Sequence, residues 1–162
     1  MSPPEEPLLF DDIAVGTVLK SVEPYVITAE EIKEVARRWD PQPFHLDEAA
    51  GAASHFGGLV GSGAHTIAAS IYLGATEVPR TAAIAGLGID DLRFKTPIRP
   101  GDQLRQTSEV IETRASVSRP DAGIIRARRT LRNQDGVEVM AYVVSWMVSR
   151  RTSSTSASFE SK

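Results

Sequence analysis

Asp40 and His45 are joined by Asp40-Pro41-Gln42-Pro43-Phe44-His45, a segment holding two prolines. A carboxylate and an imidazole that converge on one water can orient it, take a proton from it and return a proton to carbon. Such chemistry depends on fixed geometry. Proline locks its own φ and disfavours helix in the residue before it, so the segment reads as a stiff loop. The same residues have a plainer reading, since Asp before Pro commonly ends a helix and a lone His is more often packed or exposed than reactive. Spacing by itself leaves both open.

The second group is Gly61-Ser62-Gly63, at the start of a stretch of helical period. Free N–H groups at a helix N-terminus, with the positive end of its dipole, can stabilise a developing oxyanion. The alternative is capping by Ser62, with glycines for close packing. His45, His55 and His65, with Asp40 and Asp47 nearby, invite a metal reading, but their spacing follows no zinc signature, and no metal is expected. Gly61-Ser62-Gly63-Ala64-His65 lacks the second glycine of a nucleophile elbow, which argues against a serine hydrolase. Arg93, Arg99, Arg114, Arg119, Arg126, Arg128, Arg129 and Arg132 suit solvated sheet and turn positions, and some could meet phosphates of a large substrate.

The elements that must hold these residues follow from period and punctuation. Val18, Val22, Tyr25, Val26 and Ile27 favour strand, with Pro24 restricting them to an edge or bulge. Thr28 and Glu31 form a capping-box pattern before an amphipathic helix with Ile32, Val35, Ala36 and Trp39 as its stripe, ending near Asp40. Asp47 can cap a short helix through Ala53, broken by Phe56-Gly57-Gly58. A longer helix is expected from about Ser62 to Gly74, with Ala64, Ile67, Ala68, Ile71 and Tyr72 at helical spacing and more than one side covered. Stretches 83–94, 103–115, 123–131 and 137–148 favour strands and read as an antiparallel meander with one covered and one wet face.

Composition narrows the function classes. A chain of 162 residues fits one domain with a single core, and the expected boundaries are 1–151, with a disordered Ser/Thr-rich tail at 152–162. A formal net charge of −3 gives no general attraction for nucleic acid. Cysteine is absent, which excludes disulfides and thiolate chemistry. The first residues carry no secretory-signal pattern and no apolar run is long enough to span a bilayer, so a cytoplasmic protein with no membrane partner is expected.

Read together, Asp40-Pro41-Gln42-Pro43-Phe44-His45-Leu46-Asp47 followed by Phe56-Gly57-Gly58-Leu59-Val60-Gly61-Ser62-Gly63 resembles the MaoC-like dehydratases and R-specific enoyl-CoA hydratases. Arg99-Pro100-Gly101-Asp102 matches a turn of that family. The resemblance implies an α+β hot-dog fold, a long central helix wrapped by an antiparallel sheet, paired as a homodimer or higher homo-oligomer. It implies a hydratase/dehydratase of 2-enoyl and 3-hydroxyacyl thioesters, with acyl-CoA or acyl carrier protein as partner and no cofactor. Asp40 and His45 are then the catalytic pair holding water, and the Gly63 N–H polarises the thioester carbonyl. Ser62, Gln42, Phe44 and Trp39 are the expected substrate contacts. Trp39, Gln42 and Phe44 replace the family's Gly, Asn and aliphatic residue at those places. A hot-dog acyl thioesterase and a non-catalytic acyl-thioester binding subunit are the competing readings.

Overall fold

The computed structural model describes residues 6–151; the tail expected to be disordered lies outside the described residues. Helix α1, Ala29–Trp39, starts where Thr28 Oγ1 accepts the Glu31 N–H at 3.2 Å. Acidic Glu30 and Glu31 in its first turn and basic Arg37 and Arg38 in its last complement the helix dipole. The capping box is only half as expected, because the Glu31 carboxylate turns inward to accept the Tyr25 hydroxyl. Ile32 and Ala36 are the buried part of the stripe, while Trp39 is 70% exposed.

The segment after Asp40 departs from the expected loop. Pro43–Leu46 closes a helical turn, α2, with Pro43 at its start. Proline is suited to that place, having no N–H to leave unsatisfied and a φ already helical. Helix α3, Glu48–Ala53, follows, capped by Asp47 Oδ1 accepting the Ala50 N–H at 2.8 Å. Gly51 lets α3 lie directly on the Gly58–Leu59 backbone, with the Gly58 N–H donating to the Gly51 carbonyl at 3.0 Å. A Cβ at Gly51 would stand 2.6 Å from Leu59 N and 2.7 Å from Gly58 C. Backbone cannot swing aside as a side chain can, so Gly51→Ala is expected to destabilise the protein by about 1–3 kcal/mol, measured by urea unfolding.

Helix α4, Gly63–Ala75, is the long helix the sequence requires, but it faces the other way. It buries His65, Thr66, Ala69, Ser70 and Leu73. Ala64, Ala68, Ile71 and Tyr72, most of the expected apolar stripe, are exposed in the single chain, and Ile67 is half-buried.

A seven-stranded antiparallel sheet receives α4, in the order β3-β1-β5-β6-β7-β4 with β2 pairing on β5. Its strands are β1 Val18–Ser21, β2 Tyr25–Val26, β3 Glu77–Val78, β4 Ala83–Phe94, β5 Gln103–Ala115, β6 Ala122–Arg132 and β7 Glu138–Ser149. Only β5, β6 and β7 form the expected meander. β4 is not beside β5; it crosses to the far edge and pairs with β7, Gly86 opposite Trp146 and Phe94 opposite Met140, with bulges along its length. Ala69 and Leu73 of α4 pack with Leu104, Leu131, Met140 and Tyr142 of the sheet. Ile13, Leu19, Val110, Ile125, Ala127, Trp146 and Val148 form a second cluster. This is a hot-dog fold.

Candidate active site

Asp40 closes α1: its N–H still donates to the Ala36 carbonyl at 3.0 Å, while its own φ and ψ of −156° and 76° leave the helix. One helical turn later α2 presents His45, which is buried. Asp40 Oδ2 and His45 Nε2 face one another at 3.6 Å. His45 Nδ1 lies 2.6 Å from the Val60 carbonyl oxygen. A carbonyl only accepts, so Nδ1 carries the proton and Nε2 of the neutral ring offers its lone pair to the Asp40 side. Two acceptors at this separation do not hydrogen-bond directly. A molecule with two protons to donate, such as water, can bridge them from one side. Phe44 packs its ring against His45 at 4.6 Å and against Phe56 at 5.2 Å, walling one side.

The His45–Val60 bond, with the Val60 N–H reaching the Phe44 carbonyl at 3.4 Å, ties α2 to the strand-like approach to α4. The two separate motifs therefore meet in space. On that approach the Gly61 N–H donates to the Ile98 carbonyl at 2.8 Å. A Cβ at Gly61 would stand 2.5 Å from the Ile98 side chain, so the residue must be glycine for this closeness. Ser62 is fully buried and its Oγ caps α4 by accepting the His65 N–H at 3.2 Å. The capping alternative is thus what Ser62 does. Gly63 follows at the first helical position, where an N–H has no intrahelical acceptor and points along the positive end of the dipole. The Phe94 ring of β4 lies over it, 2.9 Å from where a Cβ would be. Arg99 steadies the whole segment, its Nη2 donating to the Phe56 carbonyl at 2.6 Å and its N–H to Asp102 Oδ2 at 2.8 Å.

A family model described as MaoC like domain matches residues 12–128, a span that includes Asp40, His45 and Gly63. The chain belongs to the MaoC-like family. It is 38% identical to the MaoC-like dehydratase from Rhodospirillum rubrum, at a TM-score of 0.82, over 90% of this chain and 99% of that one. The unliganded R-hydratase PhaJ1 from Pseudomonas aeruginosa is 25% identical with a TM-score of 0.68, over 88% of this chain and 86% of that one. The uncharacterized protein YdeM from Bacillus subtilis is 28% identical over 141 residues, 86% of this chain and 98% of its own length.

Within this MaoC-like domain the structure leaves Trp39 and Gln42 exposed. His55 is exposed too, and no cluster of three or more metal-ligating residues occurs among the described residues. What the sequence reading missed is a buried imidazole, His65, facing the half-buried carboxylate of Glu31. His65 is 1% exposed, and its Nε2 lies 3.5 Å from Glu31 Oε2 without the alignment of a hydrogen bond. The signal was Glu31's place at the third position of α1, which suggests a cap and conceals an inward-facing carboxylate. Burial pushes the His65 imidazole below its ordinary 6.5, with the Glu31 charge opposing the shift. Above that pH His65 is neutral in the folded and the unfolded chain alike. Below it the unfolded chain takes up a proton the folded chain resists, so stability falls as the pH drops through and below 6.5. Thermal unfolding across this range should show that decline in the wild type and a shallower one in His65→Gln.

Proposed function

We propose that this chain catalyses the reversible addition of water to a 2-enoyl thioester, giving the 3-hydroxyacyl thioester. The observation that carries the reading is the 3.6 Å gap between Asp40 Oδ2 and His45 Nε2, with the His45 tautomer set by Val60. Water seated there donates to both groups and presents its oxygen to Cβ. As the C–O bond forms, one water proton passes to the Asp40/His45 pair, and the pair returns one proton to Cα. Asp40 is the base toward water and His45 its partner in proton delivery. The negative charge gathering on the thioester oxygen is met by the Gly63 N–H. Exposed Trp39 and Gln42 belong to the mouth of the site and Phe44 to its wall.

Residues 1–151 are taken as one unit, acting as a homodimer or larger. Supporting the association are the uncovered apolar residues Ile71 and Tyr72 on α4 and Ile84, Leu87, Ile89 and Phe94 on the edge strand β4. Exposed apolar side chains in this number on one helix and the neighbouring edge strand suit an interface, and an open edge strand invites pairing. Sedimentation should give a mass of at least two chains.

The decisive assay follows loss of the enoyl-thioester absorbance with acyl-CoA and acyl carrier protein substrates, alongside free thiol. Hydration without thiol release is the expected result. Thiol release at the rate of substrate loss would establish a thioesterase instead, and tight binding without turnover would establish a binding subunit.

A further inference from the structure

A row of touching rings begins at His45, and exposure rises along it. Phe44 meets the buried His45 imidazole at 4.6 Å, Phe56 meets Phe44 at 5.2 Å, and exposed His55 lies against Phe56 at 3.9 Å. Phe44 and Phe56 are half-buried, so each keeps part of its surface in solvent. A cation adjoins the outer end of the row. Arg99 Nη2 donates to the Phe56 carbonyl at 2.6 Å. Its Nη1 occupies the room that Gly58 leaves, 3.1 Å from where a Cβ would stand.

The charge of this guanidinium is uncompensated. Arg119, Arg126, Arg132 and Arg150 each face a carboxylate, at 2.7, 3.1, 3.7 and 3.1 Å, and Arg129 stands 3.7 Å from Glu77. Among the described residues no carboxylate oxygen lies within 4.0 Å of the Arg99 side chain. The neighbouring acid, Asp102, is engaged elsewhere: Oδ2 accepts the Arg99 main-chain N–H at 2.8 Å and Oδ1 accepts from Gln134 Nε2 at 3.3 Å. A guanidinium has five N–H donors, and the neutral Phe56 carbonyl takes one. Arg99 is half-buried, so the cation has given up part of its water without gaining a counter-charge. Such a group suits an anion from outside the chain, and its planar fork suits the paired oxygens of a phosphate.

An acyl thioester brings one such anion. In CoA and in acyl carrier protein alike, the thioester sulfur is joined through a pantetheine arm to a phosphate. We propose that Arg99 receives the phosphate of a phosphopantetheine carrier, with the half-buried rings of Phe44 and Phe56 flanking the arm between that phosphate and the reacting carbons at Asp40 and His45. This rests on the hydratase reading of Asp40 and His45. Arg99 is then a binding residue as well as the tie that steadies Phe56.

S-butyl thioethers, which can be neither hydrated nor hydrolysed, test this site apart from the reaction. Calorimetry compares S-butyl-pantetheine, S-butyl-phosphopantetheine and S-butyl-CoA on the wild type, Arg99→Gln and Arg99→Lys. Glutamine keeps a donor for the Phe56 carbonyl and loses the charge; lysine keeps the charge and loses the fork. In the wild type the two phosphorylated ligands are expected to bind about tenfold more tightly than S-butyl-pantetheine. Arg99→Gln should lose that advantage while binding S-butyl-pantetheine as the wild type does, and Arg99→Lys should keep only part of it. An arginine that merely steadied the segment would, on removal, weaken all three ligands alike, and that result overturns the proposal. Equal wild-type affinity with and without the phosphate, or an advantage that survives in Arg99→Gln, overturns it too. If Arg99→Gln does not fold, Arg99→Lys decides: an advantage equal to that of the wild type sinks the proposal. S-butyl-phosphopantetheinyl acyl carrier protein, titrated beside S-butyl-CoA, tells which carrier supplies the phosphate, namely the one whose affinity falls about tenfold in Arg99→Gln. Hydration of crotonyl-CoA by the wild type, assayed separately, decides the reading on which the proposal rests.

Discussion

Asp40→Asn is expected to lower kcat for enoyl hydration by about a thousandfold, within the range that a positioned acid/base group contributes. The substitution preserves shape and removes only the carboxylate proposed to receive the proton of the bridging water. His45→Asn should cost a similar factor. Asparagine can place its amide nitrogen where Nδ1 lies, so the bond to the Val60 carbonyl is kept and no buried acceptor is left bare. What it cannot supply is the second nitrogen, 3.6 Å from Asp40 in the wild type. In the proposed mechanism both groups act on one water, so the double variant should lose little more than the worse single one. Rates within a fewfold of wild type in either single variant, with folding intact, would remove Asp40 and His45 from the mechanism.

The second large effect is expected at Gly63, where the proposed catalytic group is backbone N–H and most substitutions leave it in place. Gly63→Pro deletes it. Proline is well tolerated at a first helical position, and Ser62 already holds φ −74° and ψ 163°, the extended geometry a following proline requires. Gly63→Ala is the matching control: it adds the same Cβ beneath Phe94, 2.9 Å from the ring, and retains the N–H. The proline variant should fall below the alanine variant in kcat by about a hundredfold or more, equivalent to roughly 3 kcal/mol of lost oxyanion stabilisation. KM should change much less, because the charge on the carbonyl oxygen is greatest in the transition state. Equal kcat in the two variants would show that the Gly63 N–H does not act on the carbonyl.

Local signals in the chain carry far. Thr28, Asp47 and Ser62 cap helices, and the turn residues around 99–102 and 133–136 separate strands that form where period and β-propensity place them. Each depends on contacts between near neighbours, so the sequence alone determines α1, α3 and α4, the long strands along the chain and the two motifs that name the family, while the turn of α2 was read as loop. Pairing across long distances is another matter. β4 could sit beside β5 or beyond β7 on its local signals alike, and only the long-range pairing with β7 puts it at the far edge. The face of α4 was misread for a related reason. Its apolar stripe is the more hydrophobic one, yet Ser70 and His65 are buried because Gln106, Tyr142 and Glu31 come to meet them from other elements.

For Asp40 and His45, sequence supplied the residue types and the prolines that stiffen their connection. Only the tertiary structure decided which nitrogen of His45 faces Asp40, because the carbonyl that holds the other one belongs to Val60, fifteen residues further on. A tautomer is set by the partner across the gap, and that partner is chosen by the fold.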